Sequence, residues 1–216
     1  MNEQKIVNAL KFYLLATELK DKIRSGWKIW NIERKRIESV AEHIYGTCIL
    51  AISIDSEFKF DLDLRKTIMM LVLHELEEVI IGDLTPFDKI TPEERRKIGE
   101  EAVLKVLSSL TKKEEYFDLL LEFEEQKTFE AQFSRMCDKL ECDIQIKLYC
   151  EEGVTDLYAK RNKHLLEFER IKKRIEIEKP KTLADLFIEN DRDKYSVKEF
   201  IEILNFVKNN DLLKFK

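Results

Sequence analysis

The sequence LVLHELEEVIIGDLTP, residues 71–86, places one histidine and three glutamates in an otherwise apolar run. On a helical wheel one continuous apolar arc is filled by Ile68, Met69, Val72, Leu73, Leu76, Val79 and Ile80. His74 and Glu78 are neighbours on the opposite side, and Leu71, Met70 and Ile81 flank the acidic cluster there. A helix that is apolar on nearly all sides is normally buried, and a buried ionised carboxylate is costly unless a cation or donor satisfies it. This stretch therefore predicts a buried helix with a positive group beside Glu75 and Glu78.

The composition favours helices around that stretch. Of 216 residues, 44% are hydrophobic and 38% are charged, with only five glycines and three prolines. This profile is typical of long helices with charged surfaces rather than turn-rich sheets. The chain is long enough for one large domain, or for one domain with an appendage. We expect an all-α protein.

Charge and hydropathy exclude several classes of function. The net charge is -5, so the basic surface that duplex nucleic acid requires is not expected, although a nucleotide ligand is compatible. No apolar run is long enough to span a bilayer, and the N-terminus lacks the features of a signal peptide. A cytoplasmic protein with no nucleic-acid polymer and no membrane as partner is predicted. The four cysteines are read as reduced, packed thiols.

Hydrophobic periodicity and punctuation divide the chain into helices. Thr91 as N-cap, Pro92 at the first helical position and Glu94 three residues after the cap predict one helix start. Residues 24–36 read as a loop or broken segment, and residues 179–187 as a hinge. The helices are expected at residues 3–21, 38–54, 62–81, 91–110, 111–125, 128–152 and 154–178, with a last one opened by Ser196.

Two more polar residues, His43 and Asp138, stand in apolar helical surroundings. Taken singly, each is more often a hydrogen-bonded core residue than a ligand. Together with His74 and Glu75 they supply two imidazoles and two carboxylates from three helices, a mixed sphere that suits a first-row divalent ion. A buried salt-bridge network, with Lys or Arg as the cation, is the alternative.

Four sequence blocks occur in a recognisable order. They are GW at 26–27, ESVAEH at 38–43, HELEEVIIGDLTP at 74–86 and EFEEQKTFEAQFSRMCDKLE at 122–141. A lone histidine, a histidine–acid pair about thirty residues later and a distant aspartate resemble the HD-domain metal-dependent phosphohydrolases, which are all-helical. Over roughly residues 10–150 the chain is most similar to the 5'-deoxynucleotidase branch, which hydrolyses nucleoside 5'-monophosphates.

The resemblance implies roles for individual residues. His43, His74, Glu75 and Asp138 match the metal ligands of the family, and Glu78 matches the acid that handles the attacking water. One divalent ion is therefore expected as cofactor, with Mn, Co, Mg, Fe, Ni and Zn all open.

Two further positions match the substrate pocket of the family. Asp83 corresponds to a residue at the sugar end of the site, and Trp27 to an aromatic that shapes the deoxyribose pocket. The chain departs from the family pattern at Glu75, where the usual acid is Asp, and at Gly26, where some members have a phosphate-binding Arg. Four nearby basic residues are candidates to replace that arginine: Arg24, Arg34, Lys35 and Arg36.

The resemblance also implies an architecture. An HD-domain helical bundle of five or six core helices is expected in residues 1–152, with a C-terminal helical extension in residues 153–216. The extension is expected to pack either on the core or on a partner subunit. In the second case the protein would be a homodimer.

The expected function is metal-dependent hydrolysis of the phosphomonoester of (deoxy)nucleoside 5'-monophosphates to nucleoside and phosphate, with the small nucleotide as partner. Two alternatives remain open. One is an HD-type hydrolase of another nucleotide: a triphosphate, a cyclic nucleotide or an alarmone. The other is a catalytically degenerate HD protein that binds nucleotides, which Glu75 in place of Asp would explain.

Overall fold

The computed structural model describes residues 3–216. Within that range every regular element is helical, so the predicted all-α class is confirmed. Short 3-10 turns connect several helices. The α-helices are α1 (Glu3–Ala16), α2 (Ser25–Ile29), α3 (Val40–Phe58), α4 (Leu64–Leu73), α5 (Glu78–Ile81), α6 (Pro92–Leu107), α7 (Lys113–Glu125), α8 (Phe129–Glu151), α9 (Lys163–Leu166), α10 (Glu169–Glu178), α11 (Leu183–Asp191) and α12 (Lys198–Asn209).

The chain forms two compact units, which are described separately. The first comprises the residues up to Ser25 together with Glu38–Arg135, and the second comprises Gly26–Ile37 together with Met136–Lys216. The division predicted from sequence is an HD-type core in residues 1–152 and a C-terminal helical extension in residues 153–216. It stays a prediction.

Capping residues explain where two helices of the first unit begin. The Ser39 hydroxyl accepts from the Glu42 backbone N–H before α3, and the Glu42 carboxylate accepts from the Ser39 N–H in return. Thr91 and Glu94 make the same reciprocal bonds before α6, with Pro92 as its first residue. The predicted start at Thr91 is confirmed. Each such capping box satisfies two backbone donors that would otherwise lack partners.

An apolar cluster forms part of the core of the first unit. Leu73, Leu76 and Val79 contribute to it from both sides of the acidic stretch. Because these anchors are buried, the polar side chains between them are held at the core rather than in solvent. The other buried members are Leu19, Val40, Val103, Val106, Leu107 and Leu120.

The predicted unbroken helix over residues 62–81 is wrong. Helix α4 ends at Leu73, and a tight turn separates it from α5. In that turn the N–H of Leu76 bonds to the carbonyl of Leu73 at 3.0 Å, a three-residue spacing instead of the four of an α-helix. The side chain of His74 bonds to the Leu71 carbonyl at 2.7 Å and competes with the backbone donor that would continue the helix.

The second unit has an aromatic and aliphatic core of its own. The ring of Trp27 lies 5.7 Å from Tyr149 and 5.8 Å from Phe187, and Trp30 lies 6.2 Å from Phe187. The N–H of Glu33 donates to the carbonyl of Val154 at 2.9 Å. The segment 26–37 therefore packs with the C-terminal residues.

Three predictions for the C-terminal residues are wrong. The expected helix over 154–178 is divided into a loop, α9 and α10, because Phe168 interrupts it with an extended backbone. The expected hinge contains the start of α11, where Thr182 and Asp185 form a capping box. Helix α12 begins at Lys198 after Val197, and Ser196 is not its N-cap. Across residues 3–216, no helix combines the length and apolar character needed to cross a bilayer.

Candidate metal centre

His43 lies in the first turn of α3, directly after the Glu42 of the capping box. Its side chain is completely buried, and its ring centroid lies 5.5 Å from that of His74. A capped helix start fixes the backbone direction, so the imidazole has a defined position in the first unit.

His74 is held in one orientation by its neighbours. Its Nδ1 lies 2.7 Å from the carbonyl oxygen of Leu71, and a carbonyl only accepts, so Nδ1 carries the hydrogen. Nε2 then presents a lone pair, which is the state in which histidine binds metals. The ring of Phe123 packs against the imidazole at 5.5 Å, and the Arg135 guanidinium covers that phenyl ring at 4.1 Å.

Glu75 joins the two imidazoles. Its Oε1 lies 3.6 Å from Nε2 of His43 and 3.5 Å from Nε2 of His74. One donor atom from each of the three residues lies within 4.8 Å of the other two. Donors that share one ion at about 2.0–2.2 Å lie roughly 3–4 Å from each other. These residues therefore fit a divalent ion, although the Glu75 side chain is one methylene longer than Asp.

Arg24 is placed beside these residues by backbone pairing. Its N–H donates to the carbonyl of Glu38 at 3.0 Å, and the N–H of Val40 donates to the carbonyl of Lys22 at 2.8 Å. These two bonds align residues 22–24 with the residues that begin α3. Of the four basic candidates that the sequence offered near this point, Arg24 is the one that lies in the first unit.

The Arg24 guanidinium contacts three carboxylates. Its Nη1 lies 3.1 Å from Glu75 Oε1 and 3.8 Å from the nearest oxygens of Glu78 and Asp83. All four side chains are largely shielded from solvent, so the attraction between Arg24 and the three carboxylates is weakly screened. The sequence predicted a positive group beside Glu75 and Glu78, and Arg24 is one such group.

Glu78 is the most deeply buried acid of this group. Its Oε2 makes no hydrogen bond, and only 3% of the residue is exposed. Burial, then the charges of Glu75 and Asp83, raise the pKa of Glu78 to about 11, and Arg24 acts in the opposite direction. A cation held by the neighbouring ligands would also lower this pKa.

Asp83 connects the acidic stretch to the segment that carries Arg24. Its Oδ2 accepts the backbone N–H of Ser25 at 2.5 Å. The preceding Gly82 has a φ of 79°, a left-handed value that favours glycine, and its N–H donates to the carbonyl of Glu78 at 3.0 Å. The turn at Gly82 therefore directs Asp83 toward Ser25 and Arg24.

Comparison with known proteins identifies the family. A family model described as "HD domain" matches residues 16–179. The chain belongs to the HD domain family. The resemblance inferred from its histidines and acids is confirmed.

Curated relatives of this HD domain protein share a name. The 5'-deoxynucleotidase HDDC2 of Dictyostelium discoideum is 34% identical over 149 residues, which cover 66% of this chain and 77% of the relative. The human 5'-deoxynucleotidase HDDC2 is 31% identical over 142 residues, covering 65% of this chain and 67% of the relative. The 5'-deoxynucleotidase hdd1 of Schizosaccharomyces pombe is 30% identical over 155 residues, which cover 69% of this chain and 76% of the relative.

Solved structures share the fold of this HD domain protein. A conserved hypothetical protein from Pyrococcus furiosus aligns with a TM-score of 0.64 at 23% identity, covering 93% of this chain and 99% of that protein. A predicted metal-dependent phosphohydrolase from Magnetospirillum magnetotacticum aligns with a TM-score of 0.61 at 19% identity, covering 95% of both chains. At these identities the similarity concerns the fold alone.

Two predicted site residues of the HD domain protein lie in the second unit. Asp138 is buried on α8, and its Oδ2 lies 3.0 Å from Nζ of Lys139. Trp27 is 2% exposed and contacts Tyr149 and Phe187. Within the first unit, the structure brings together His43, His74, Glu75, Glu78 and Asp83.

A separate cavity of about 320 Å³ follows Asp83 in the first unit. It lies in the loop before α6, and none of the predicted ligands lines it. The lining residues are Leu84, Thr85, Pro86, Asp88, Ile90, Pro92 and Arg95.

Proposed function

We propose that this HD domain protein is a metal-dependent 5'-deoxynucleotidase, which hydrolyses (deoxy)nucleoside 5'-monophosphates to nucleoside and phosphate. One observation carries the proposal: Glu75 Oε1 lies within 3.6 Å of both His43 Nε2 and His74 Nε2. Relatives that are 30–34% identical and named 5'-deoxynucleotidases support the substrate class.

The proposed ligands are His43, His74 and Glu75 in the first unit, with Asp138 as the fourth by its match to the family. A divalent ion bound there supplies a Lewis acid that activates water and offsets charge on the phosphoryl group. Imidazole and carboxylate donors suit Mn, Co, Fe, Ni and Zn. Mg, which the sequence analysis also predicted as a candidate, stays among the ions to be tested.

Glu78 is the proposed proton-handling residue. It follows His74 by one turn and faces the same carboxylates and arginine. With a cation at the neighbouring ligands lowering its pKa, the Glu78 carboxylate can accept the proton of the attacking water, or relay it toward the leaving oxygen of the sugar. Burial excludes bulk water from this acid, so the proton stays close to the reacting atoms.

Three residues are proposed to hold the substrate. Arg24 is a planar donor beside the ligand residues, which suits a phosphate oxygen. Asp83 holds the Arg24 segment through Ser25 and can also accept from a sugar hydroxyl. Trp27 is proposed to shape the deoxyribose pocket, as its match to the family implies.

Phosphate release from a panel of nucleoside monophosphates tests the function. The protein is stripped of metal with a chelator and reloaded separately with Mn, Co, Mg and Zn. Release that depends on metal and is lost in His74→Ala is the expected result, and the preferred nucleotide names the substrate class. If triphosphates, cyclic nucleotides or alarmones are hydrolysed instead, the monophosphatase assignment is wrong and the HD chemistry is retained.

A binding protein without catalysis is the second candidate, and Glu75 favours it. A side chain one methylene longer than Asp moves its oxygen by more than the roughly ±0.2 Å that a metal site tolerates, unless the backbone compensates. The break in the helix at residues 74–77 is one such compensation. Nucleotide binding without turnover under any of the four metals, together with turnover in Glu75→Asp, would support this candidate.

The finer statements about partners and location are also proposals. We place the protein in the cytoplasm with a small nucleotide as ligand, and we propose that it forms a homodimer. Sedimentation of the full chain would measure its oligomeric state and so test the proposed homodimer.

A further inference from the structure

The cavity that follows Asp83 begins beside the proposed sugar end of the site. Leu84, the first of its lining residues, comes directly after Asp83, and consecutive Cα atoms are only about 3.8 Å apart. An oxygen of Asp83 lies 3.8 Å from the Arg24 guanidinium, which also contacts Glu75 at 3.1 Å. Because a base is joined to its sugar by a single bond, a nucleotide with its phosphate at Arg24 and its sugar at Asp83 would have its base within reach of this cavity.

The size and the walls of the cavity suit a flat ring. Its volume of about 320 Å³ lies within the range of small-molecule pockets. Its apolar lining residues are Leu84, Pro86, Ile90 and Pro92, and the last three are exposed at the surface of the loop. Enzymes that read a base stack its faces against apolar side chains. These walls therefore provide a stacking surface for a base, and the other lining side chains are polar.

The loop that forms the cavity is held by its own hydrogen bonds. Oδ2 of Asp88 accepts the backbone N–H of Thr85 at 2.6 Å and the Thr85 hydroxyl at 2.9 Å. The N–H of Asp88 donates back to the Thr85 carbonyl at 3.1 Å. The capping box of Thr91 and Glu94 fixes the other end of the loop at the start of α6. Little ordering of the loop is then needed when a ligand binds, which favours affinity.

Two lining side chains have hydrogen-bonding groups that the loop does not use. Within residues 3–216, Oδ1 of Asp88 accepts no hydrogen bond, and both hydrogen bonds of this carboxylate go to Oδ2. In the same range the Arg95 guanidinium makes no hydrogen bond or ion pair, although its charge acts on Glu77. A carboxylate only accepts and a guanidinium only donates. The cavity thus offers one acceptor group and one donor group to a ligand.

Guanine is the base that can use both groups. Its O6 and N7 accept from a guanidinium at two points, which is the commonest specific contact between arginine and a base. Its N1–H and its 2-amino group donate from the neighbouring edge, and the two oxygens of a carboxylate can accept both. Adenine has an amino group where guanine has O6, and it lacks the donors at N1 and C2. Adenine would therefore oppose Arg95 with a donor and leave Asp88 without one.

We propose that this cavity is the base subsite of the enzyme and that Arg95 and Asp88 select guanine. Guanine nucleoside 5'-monophosphates are then the preferred substrates. The proposal rests on the proposed nucleotidase function and adds a base preference to it. Neither Arg95 nor Asp88 is a proposed metal ligand or the proposed proton-handling acid, so substitution of either should change the choice of base and leave the metal centre intact.

Hydrolysis of the 5'-monophosphates of deoxyguanosine, deoxyadenosine and deoxyinosine by the metal-loaded protein tests the proposal. Wild type should favour the guanine over the adenine nucleotide by at least about tenfold in kcat/KM, and Arg95→Gln should remove most of that preference. Hypoxanthine, the base of deoxyinosine, differs from guanine only in lacking the 2-amino group. Asp88→Asn should therefore erase the preference for guanine over hypoxanthine. The Asn amide oxygen still accepts from Thr85, which preserves the loop.

Arg96→Gln is the matched control. Arg96 pairs with Glu100 at 2.8 Å and does not line the cavity. This variant should keep the wild-type preference for guanine. Because Asp88, Arg95 and Arg96 are all exposed, the helical circular dichroism of the three variants should match that of wild type.

Equilibrium binding of the free nucleosides separates this proposal from the proposed function. Calorimetry should show tighter binding of deoxyguanosine than of deoxyadenosine, and Arg95→Gln should lose the difference. If no monophosphate is hydrolysed under any metal, the nucleotidase function is wrong, and the binding difference still decides whether the cavity selects guanine. Three results would overturn the base subsite: equal kcat/KM for the three nucleotides in an active enzyme, equal binding of the two nucleosides, or a guanine preference that both Arg95→Gln and Asp88→Asn retain.

Discussion

His74 donates its Nδ1–H to the carbonyl oxygen of Leu71 at 2.7 Å, and this bond decides which ring nitrogen faces Glu75. The same bond ends α4, because the Leu71 carbonyl is no longer reserved for the backbone donor of the next turn. One interaction therefore turns the other ring nitrogen toward Glu75 and breaks the helix that the sequence pattern predicts.

Replacing His74 should abolish tight metal binding. His74→Ala removes a ligand whose lone pair is already oriented, so the affinity for Mn or Zn should fall by at least about a hundredfold. Competition against a chromophoric chelator measures the change without reference to activity. His164→Ala is the control, because His164 is exposed on α9 and should leave the affinity unchanged. Equal affinity in both variants would remove His74 from the ligand set.

Replacing Glu78 should separate chemistry from metal binding. Glu78→Gln keeps the size of a buried side chain and removes its ability to take a proton, so kcat should fall by roughly 10²–10⁴-fold. Metal affinity should stay near that of wild type, because Glu78 is not a proposed ligand. The nearby Glu77→Gln serves as the matched control and should retain turnover. A Glu78→Gln protein with nearly full activity would contradict the proton-handling role.

Replacing Arg24 should weaken the binding of the monophosphate. Arg24→Lys keeps the charge beside Glu75 but loses the planar pair of donors, so KM should rise about tenfold while kcat changes less. Arg34→Lys is the matched control, because Arg34 pairs with Glu152 in the second unit at 3.3 Å. Steady-state kinetics with the preferred monophosphate give both constants. An unchanged KM would exclude a phosphate contact from Arg24.

The sequence predicts which residues form the candidate site but not their local geometry. His43 and His74 stand out because histidine is rare in this chain and both interrupt apolar helical runs, a local signal that needs no structure. The helix start at Thr91 was also predictable from a local signal, because its capping partner Glu94 is only three residues away. The break after Leu73 depends on the bond from the His74 side chain to the Leu71 carbonyl, and a helical wheel cannot show this bond because it assumes a continuous helix.

Arg24 could not be chosen from the sequence for a different physical reason. Its position depends on backbone pairing with Glu38, fourteen residues away, across a segment of which residues 26–37 pack in the other unit. The basic residues before that segment and within it have the same local pattern. Only the pairing distinguishes Arg24 from Arg34.

Asp143 should make the stability of the protein depend on pH. It is fully buried on α8 and accepts the hydroxyl of Tyr195 at 2.6 Å. Burial, and next the charge of Asp191, raise the pKa of Asp143 to about 8, while Tyr195, Lys194 and Lys139 act in the opposite direction. The folded chain therefore binds this proton more tightly than the unfolded chain, in which an aspartate titrates near about pH 4.

The stability contributed by that proton is fully present below about pH 4 and is lost as the pH rises to about 8. The free energy of unfolding should accordingly fall by a few kcal/mol over that range. Asp143→Asn cannot titrate and keeps an acceptor for Tyr195, so its curve should be flatter than that of wild type. Denaturant unfolding at several pH values measures both curves, and the difference between them removes the contributions of Glu77 and Glu78. Asp193→Asn, exposed and on the surface, should reproduce the wild-type slope. If the free energy of unfolding of Asp143→Asn also falls with pH as steeply as that of wild type, Asp143 does not hold a proton in the folded protein and the prediction is wrong.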